Sequence, residues 1–242
     1  MTPYYDEAGI TIYHGDCLDV LRSSALSFDT VVGDPPYCSG GRQQAQARGI
    51  IEKASDRESD WFITDMMGSD SYVWWIREIA GELIAKADHG AHAYLFTDWR
   101  QYTNVVTACE TKGWSLRNVV VWDKAKGGAM GSFWRNNHEW IPVLCKGKPR
   151  AIERRDCFNT WRGTKPQGGE HPTMKPPELI AYLLSVSNAK RVIDPWMGSG
   201  TTLLSAKREG IAAIGIEIEE RYCEIAAKRL AQGVLPLQEA SA

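Results

Sequence analysis

Two periods run through the hydrophobic pattern of the chain. Short apolar runs at Ile10–Tyr13, Phe28–Val32, Ala91–Phe96, Leu116–Trp122, Glu139–Cys145, Arg191–Ile193 and Ala212–Ile216 read as strands. Between them lie stretches with helical spacing. In Ser71–Ala87 the apolar positions are Val73, Trp74, Ile76, Ile79, Ala80, Leu83 and Ile84, and Gly90 follows. Trp99–Lys112 reads as a helix closed by Gly113, and Pro176–Ser187 as one opened by proline. Thr201–Glu209 and Glu219–Ala231 are further helices, and Asp19–Leu26 is a short one. Strands alternating with helices predict an α/β fold, with a mostly parallel central sheet and helices on both faces. Ligands of such sheets gather beyond the C-terminal ends of the strands. Asp34-Pro35-Pro36-Tyr37, a glycine-rich loop at 194–200 and Glu217 all fall at such ends.

The polar segments change this picture little. Residues 1–242 form one domain, with small insertions expected at 38–60 and 123–170. The first insertion is long enough to be a functional loop. With 43% apolar residues the chain can build a sizeable core. No run approaches the length of a membrane-spanning helix. MTPYYDEAGI has neither the basic start nor the apolar core of a signal peptide. The six cysteines are scattered without a CxxC pair, which fits a reducing cytoplasm and argues against zinc or a disulfide framework. His89, His92 and His138 lack ligand spacing, so no metal is expected. Net charge is −2, yet Arg117–Lys165 carries eleven Lys/Arg against four Asp/Glu, and the remainder 17 against 26. A basic stretch in an acidic protein suits one face that meets a polyanion; chance clustering on a solvated surface is the alternative.

The glycine loop reads Asp194-Pro195-Trp196-Met197-Gly198-Ser199-Gly200-Thr201. Leu203 stands where a dinucleotide fingerprint needs its third glycine, and no lysine follows Gly200 as a phosphate loop requires. A carboxylate at Asp194 would repel a pyrophosphate and attract an ammonium or a sulfonium. Glu217, at the end of the next strand, can take both hydroxyls of a ribose. S-adenosylmethionine has these parts and no phosphate. The alternatives are that Asp194 caps the following helix and that Glu217 is merely exposed.

Asp34-Pro35-Pro36-Tyr37 offers a second kind of chemistry. The prolines fix φ and lack N–H groups, so the local carbonyls are pre-aimed acceptors beside the Asp34 carboxylate. Two acceptors suit one –NH2 donor. An exocyclic base amine is a poor nucleophile, and two hydrogen bonds from its protons return electron density to nitrogen. Tyr37 offers a ring for stacking, and a base inside a duplex would have to be flipped out. A rigid turn is the alternative.

Together these words resemble the amino-group DNA methyltransferases in the circularly permuted order where DPPY precedes the cofactor loop, the β class. GDPPY at 33–37 resembles the catalytic motif, and DPWMGSGTT at 194–202 the cofactor motif DPFxGSGTT, with Trp196 for the usual Phe. HPTMKP at 171–176, GIEIEERYCEIAAKRL at 215–230 and HGDCLDVL at 14–21 are similar to further family segments. NNHEWIPVLCKG at 136–147 is similar to a core strand region to which no site is assigned. The resemblance implies a Rossmann-like methyltransferase fold, S-adenosylmethionine as cofactor and double-stranded DNA as partner. It implies Asp34, Pro35, Pro36 and Tyr37 as catalytic residues. It implies cofactor contacts at Asp16, Cys17, Thr173, Lys175, Asp194, Pro195, Trp196, Gly198, Ser199, Gly200, Thr201 and Glu217.

DPPY rather than SPPY favours adenine N6 over cytosine N4, with RNA or a protein amide as other acceptors of the same chemistry. A homodimer and a partner restriction nuclease both occur among such enzymes, and neither is read from this chain. The insertions at 38–60 and 123–170 are the candidate DNA-recognition segments, and Arg42, Arg48, Arg135, Arg154 and Arg155 are the phosphate-contact candidates. Trp74, Trp75 and Trp99 are expected in packing; Trp61, Trp134 and Trp161, in polar or basic surroundings, are open to packing or DNA contact.

Overall fold

The computed structural model describes residues 1–37, 69–125, 134–152, 156–164 and 174–232. Among these residues nine strands form one sheet: β1 (Tyr5–Glu7), β2 (Ile10–His14), β3 (Phe28–Gly33), β4 (Ala87–Leu95), β5 (Trp114–Asp123), β6 (His138–Lys146), β7 (Thr160–Arg162), β8 (Arg191–Asp194) and β9 (Ala212–Glu217), in the order β1-β2-β9-β8-β3-β4-β6-β5-β7. The run β2-β9-β8-β3-β4 is parallel throughout. β6 reverses direction between β4 and β5, β1 is antiparallel to β2, and β7 is parallel to β5. The predicted strands and helices are all present, with ends displaced by a few residues. Within the expected insertion at 123–170, β6 and β7 belong to the sheet; the expected insertion at 38–60 lies outside the described residues.

Among the described residues six helices cover the sheet: α1 (Cys17–Ser23), α2 (Ser69–Lys86), α3 (Tyr102–Glu110), α4 (Pro177–Val186), α5 (Thr201–Arg208) and α6 (Glu220–Ala231). The strand pleat decides which helix meets which residue, because successive side chains point to opposite faces. Val31 of β3 and Ile193 of β8 join a core with Leu21 of α1, Ile76 of α2 and Val105 of α3. Their neighbours Val32 and Val192 join the opposite core with Leu183 of α4, Leu203 of α5 and Ala226 of α6. Burial on both faces explains why β3 is apolar along most of its length.

The two strands that sequence periodicity missed are three-residue edges. β1 pairs with β2 through a two-residue turn in which Ala8 (φ 51°) and Gly9 (φ 77°) are both left-handed. That is the hairpin geometry usually marked by Asn-Gly, which Ala-Gly does not announce. β7 is too short and too polar to show a period.

β3 and β8 meet at the point where the chain order reverses. β3 leads through α2 to β4 on one side, and β8 leads through α5 to β9 on the other. Their register aligns Thr30 with Val192 and Val31 with Ile193. Below the pairing, the buried Asp29 carboxylate accepts from the backbone N–H of Lys190 (3.0 Å) and Arg191 (3.3 Å) and pairs with Arg150 (3.4 Å). Arg150 also donates to the carbonyl of Ser187 (2.8 Å). One acid and one guanidinium thus staple the two strands at the end remote from the cleft.

Gly200 sits at φ 80°, and a Cβ there would stand 2.8 Å from the Cβ of Ala226 on α6. Gly200→Ala is therefore expected to cost about 2 kcal/mol through backbone strain and overpacking. A lower urea midpoint at unchanged slope checks this; an unchanged midpoint would contradict it.

Candidate active site

The end of β3 is shaped by what it lacks. Gly33 has no side chain, and a Cβ at that position would lie 2.8 Å from the Trp196 ring. The indole fills that space and leans on Trp75 of α2 at 5.7 Å between centroids. The aromatic that departs from the family word is accommodated by this glycine on one side and Trp75 on the other. The Gly33 carbonyl accepts from Phe96 N–H (2.9 Å), so the chain leaves the sheet at Asp34 from a fixed point.

Asp34 enters a buried ionic cluster. Its Oδ2 pairs with Lys175 Nζ at 2.8 Å. The same ammonium reaches Glu139 Oε2 at 3.1 Å and donates to the Tyr37 hydroxyl at 3.1 Å. That hydroxyl donates onward to Glu139 Oε2 at 2.9 Å. Glu139 Oε1 in turn holds Lys124 Nζ at 2.7 Å. The Asp34 side chain is 26% exposed overall, yet its Oδ1 is buried and has no hydrogen-bond partner. Burial raises the Asp34 carboxyl above its ordinary range; Lys175 opposes this and Glu139 adds to it. Burial alone would raise Glu139 too, but Lys175 and Lys124 together draw it down to about 2. Burial works against the charge on Lys175, and Asp34 and Glu139 more than restore it. The cluster therefore joins Asp34 and Glu139 to Lys175 and Lys124, with the Tyr37 phenol between them.

Across the cleft, Asp194 ends β8 and accepts from Trp196 N–H at 3.0 Å and from the Thr202 side chain. The alternative of a helix-capping acid is not realised: Gly200 stands at the N-cap of α5 without a side-chain cap bond, and Asp194 instead ties the loop while lining the cleft with Asp34, Phe96, Met174, Lys175, Trp196 and Gly198. Burial pushes its carboxyl up to about 7; the two hydrogen bonds oppose this, and the Asp34 and Glu217 charges add to it. Glu217 is buried, not exposed. Its Oε2 accepts from Gly198 N–H (3.0 Å) and its Oε1 from Glu219 N–H (2.8 Å). Each oxygen keeps acceptor capacity beyond those bonds. Ser199 is held by Arg229 of α6, whose Nη1 donates to its Oγ at 3.1 Å. Asp16 caps α1 through Leu18 N–H (2.8 Å) and lies one residue past Gly15, whose N–H donates to the Glu217 carbonyl (2.9 Å). Cys17 is buried beside it, which pushes its thiol up. Asp34 and Asp194 line the cleft and Glu217 is buried at the next strand end, while Lys175, the lysine lining it among the described residues, is already engaged; this charge suits a cationic nucleoside better than a pyrophosphate.

The structure thus gathers Asp34, Pro35, Pro36, Tyr37 and Lys175 with the loop from Asp194 to Thr201, and sets Glu217, Asp16 and Cys17 at the neighbouring strand ends. Lys175, assigned by resemblance to the cofactor, is bonded to the candidate catalytic acid while lining the same cleft. Thr173, Arg42, Arg48, Arg154, Arg155 and Trp61 lie outside the described residues. Arg135 and Trp134 are exposed just before β6. Trp161 packs against the core under α4–α6. Two packing expectations are corrected: Trp74 is 60% and Trp99 54% exposed. Trp74 falls on the outer side of α2, and Trp99 precedes α3 in a turn, where Arg100 covers its ring at 5.0 Å. Sequence reasoning also missed Glu139 and Lys124. The available signal was a lone acid opening an otherwise apolar strand, HEWIPVLC.

The DNA methylase family model matches residues 28–228. The type II methyltransferase M2.LlaDCHI of Lactococcus lactis subsp. cremoris is 25% identical over 253 residues, covering 96% of this chain and 93% of the relative. M2.DpnII of Streptococcus pneumoniae, also a type II methyltransferase, is 26% identical over 258 residues, covering 94% and 92%. Among solved structures, the M1.HpyAVI–SAM complex superposes with a TM-score of 0.68 at 21% identity, covering 91% of this chain and 99% of that one. PvuII DNA methyltransferase (cytosine-N4-specific) gives 0.72 at 16% identity, covering 96% and 90%. The Rossmann-like methyltransferase architecture is therefore shared across the chain.

The raised carboxyl of Asp194 has a stability consequence of definite sign. Its folded value near 7 lies above the unfolded value near 4, so the folded state prefers the protonated form. Stability from this group is full below about pH 4 and is lost as pH rises toward about 7. Asp194→Asn keeps an acceptor for Trp196 N–H and removes the charge. The ligand-free variant is expected to be more stable than the parent at about pH 8, by up to about 4 kcal/mol, and to converge with it near pH 4. Urea unfolding at both pH values checks this; equal stability at pH 8 would refute it.

Proposed function

The chain belongs to the DNA methylase family, and from that premise we propose that it methylates the N6 amine of adenine in double-stranded DNA. That it is a DNA amino-methyltransferase follows from the family, as does S-adenosylmethionine as methyl donor. The choice of adenine is supported by the acid at position 34, where DPPY stands rather than SPPY. One observation carries the mechanism: Asp34 Oδ1 is buried without a hydrogen-bond partner among the described residues, on a residue that lines the same cleft as Asp194 and Gly198. A buried acceptor left unpaired costs free energy unless a ligand completes it.

When bound, S-adenosylmethionine supplies an electrophilic methyl group on a sulfonium. Everything else falls to the chain. Asp194 attracts the positive charge of the cofactor, Glu217 takes the ribose hydroxyls, and the loop at Gly198–Gly200 lets backbone approach closely. Asp16 and Cys17 close the adenine end. Asp34 Oδ1 accepts one proton of the target amine and the Pro35 carbonyl accepts the other. Those two bonds orient the nitrogen and return electron density to it. Once the nitrogen is methylated its proton becomes acidic, and Asp34 is the carboxylate placed to hold it. Pro36 keeps the segment rigid, and Tyr37, tethered by its hydroxyl, presents its ring to a base flipped out of the duplex. The free thiols among the described cysteines support a reducing cytoplasm as the setting.

Labelled methyl transfer to mixed-sequence DNA, followed by digestion to nucleosides, tests the base. N6-methyladenine is expected; N4-methylcytosine would keep the mechanism and overturn the substrate. Asp34→Asn is expected to lower the transfer rate about a hundredfold or more, with S-adenosylmethionine affinity by calorimetry nearly unchanged. Equal loss of both would refute the division of roles between Asp34 and the glycine loop.

A further inference from the structure

Glu139 is buried at the start of β6, 102 positions from Tyr37, and no step above uses it. We propose that Glu139 is a positioning residue for methyl transfer: it shares the Lys175 ammonium with Asp34 and anchors the Tyr37 hydroxyl, keeping Asp34 Oδ1 an open acceptor. This role rests on the reading of Asp34 as the group that holds the amine.

The bonds are arranged as a tripod. Lys175 has three N–H donors, and three acceptors stand within reach: Asp34 Oδ2 (2.8 Å), Glu139 Oε2 (3.1 Å) and the Tyr37 hydroxyl (3.1 Å). Its ammonium also lies 5.3 Å from the Tyr37 ring centroid and 5.2 Å from that of Phe96, so aromatic walls close it in. With Glu139 present, the ammonium is divided between two carboxylates and is held off Asp34 Oδ1. Without it, Asp34 would be the remaining carboxylate partner of Lys175, and a carboxylate saturated by an ammonium is a weaker acceptor for an amine. Glu139 also accepts the hydrogen bond of the Tyr37 hydroxyl, which fixes the direction of that ring. Lys124, 24% exposed at its side chain, balances the second oxygen of Glu139 at 2.7 Å.

The charges make the two ends of the cluster act on Asp34 with opposite sign. Asp34 is faced by Lys175, Glu139 and Tyr37, and across the cleft by Asp194. Glu139 is faced by Lys175, Lys124 and Tyr37. Removing the Glu139 charge stabilises ionised Asp34, and removing the Lys124 charge destabilises it. A purely architectural ion pair would show a loss of stability without this pattern.

The test is the single-turnover methyl-transfer rate of the whole protein with saturating S-adenosylmethionine and DNA, from about pH 5 to pH 9. Activity falls on the acid side as Asp34 is protonated. In Glu139→Gln the plateau is expected to fall about tenfold, and the acid limb to move down by about one pH unit. Lys124→Gln is expected to move the limb up by about one pH unit with the plateau largely kept. Glu139→Asp should recover part of the plateau. Lys124 is partly exposed, so its variant keeps the test open if Glu139→Gln does not fold. Limbs that stay in place, or that move in the same direction, overturn the inference even where the plateau drops. Asp34→Asn, run in parallel, separates the two levels. If it is inactive while the limbs do not move, only the role of Glu139 fails. If it transfers methyl at the parent rate, the reading of Asp34 itself fails.

Discussion

The parallel pairing of β3 with β8 is the constraint on which the cleft depends. Two catalytically suggestive acids 160 positions apart, Asp34 and Asp194, come to one place because the strands preceding them share register at Thr30–Val192 and Val31–Ile193. The pairing is short, so it needs help, and Asp29 with Arg150 supplies it at the other end. Because connections leave these two strands in opposite directions, no crossover helix among the described residues covers the gap between their C-terminal ends. The fold therefore makes a crevice there whatever the sequence, and the sequence decides what chemistry fills it.

That chemistry is an uneven distribution of charge. The nucleoside side holds acids tied by neutral donors: Asp194 by Trp196 N–H and Thr202, Glu217 by Gly198 and Glu219 N–H. The amine side holds acids tied by ammonium groups: Asp34 and Glu139 around Lys175, with Lys124 behind. Neutral donors leave a buried carboxylate costly, so it gains by meeting a cation. Ammonium partners favour the charged form: they hold Glu139 well below the usual carboxylate range, and at Asp34 they oppose burial without fully offsetting it. Two kinds of support around similar side chains thus give the two sides of the cleft different electrostatic character.

What was legible in the sequence follows from how far each contact reaches. Gly33-Asp34-Pro35-Pro36-Tyr37 and the loop from Asp194 to Gly200 are continuous words, whose glycines and prolines set local backbone and whose acids stand at predicted strand ends. Their chemistry could be argued without coordinates. Glu139 and Lys124 could not be found that way. Their partners lie on other elements, and the one local signal within NNHEWIPVLCKG, a lone acid near the start of an otherwise apolar strand, does not name the groups it meets. Lys175 was found but given half its surroundings, because the Tyr37 hydroxyl it reaches is 138 positions away. Trp74 misled for a different reason: helical spacing marks a face, and a tryptophan at its border can turn outward. β1 and β7 were too short for any period to show.

The buried acids of the nucleoside side also couple folding to binding. Without a ligand, Asp194 is comfortable only as the neutral acid, and near neutral pH the protein divides between protonated and ionised forms. A cationic ligand in the cleft favours the ionised form, so its arrival displaces a proton and converts an unfavourable burial into an ion pair. The glycine loop that carries this acid is the segment whose backbone tolerates no side chain at Gly200 and which is tethered to α6 through Ser199 and Arg229. A loop so constrained cannot relax to expose Asp194 to water. The buried charge of Asp194 is therefore one that a positive ligand would relieve and a phosphate would worsen, which suits a loop resembling a phosphate cradle to a phosphate-free nucleoside.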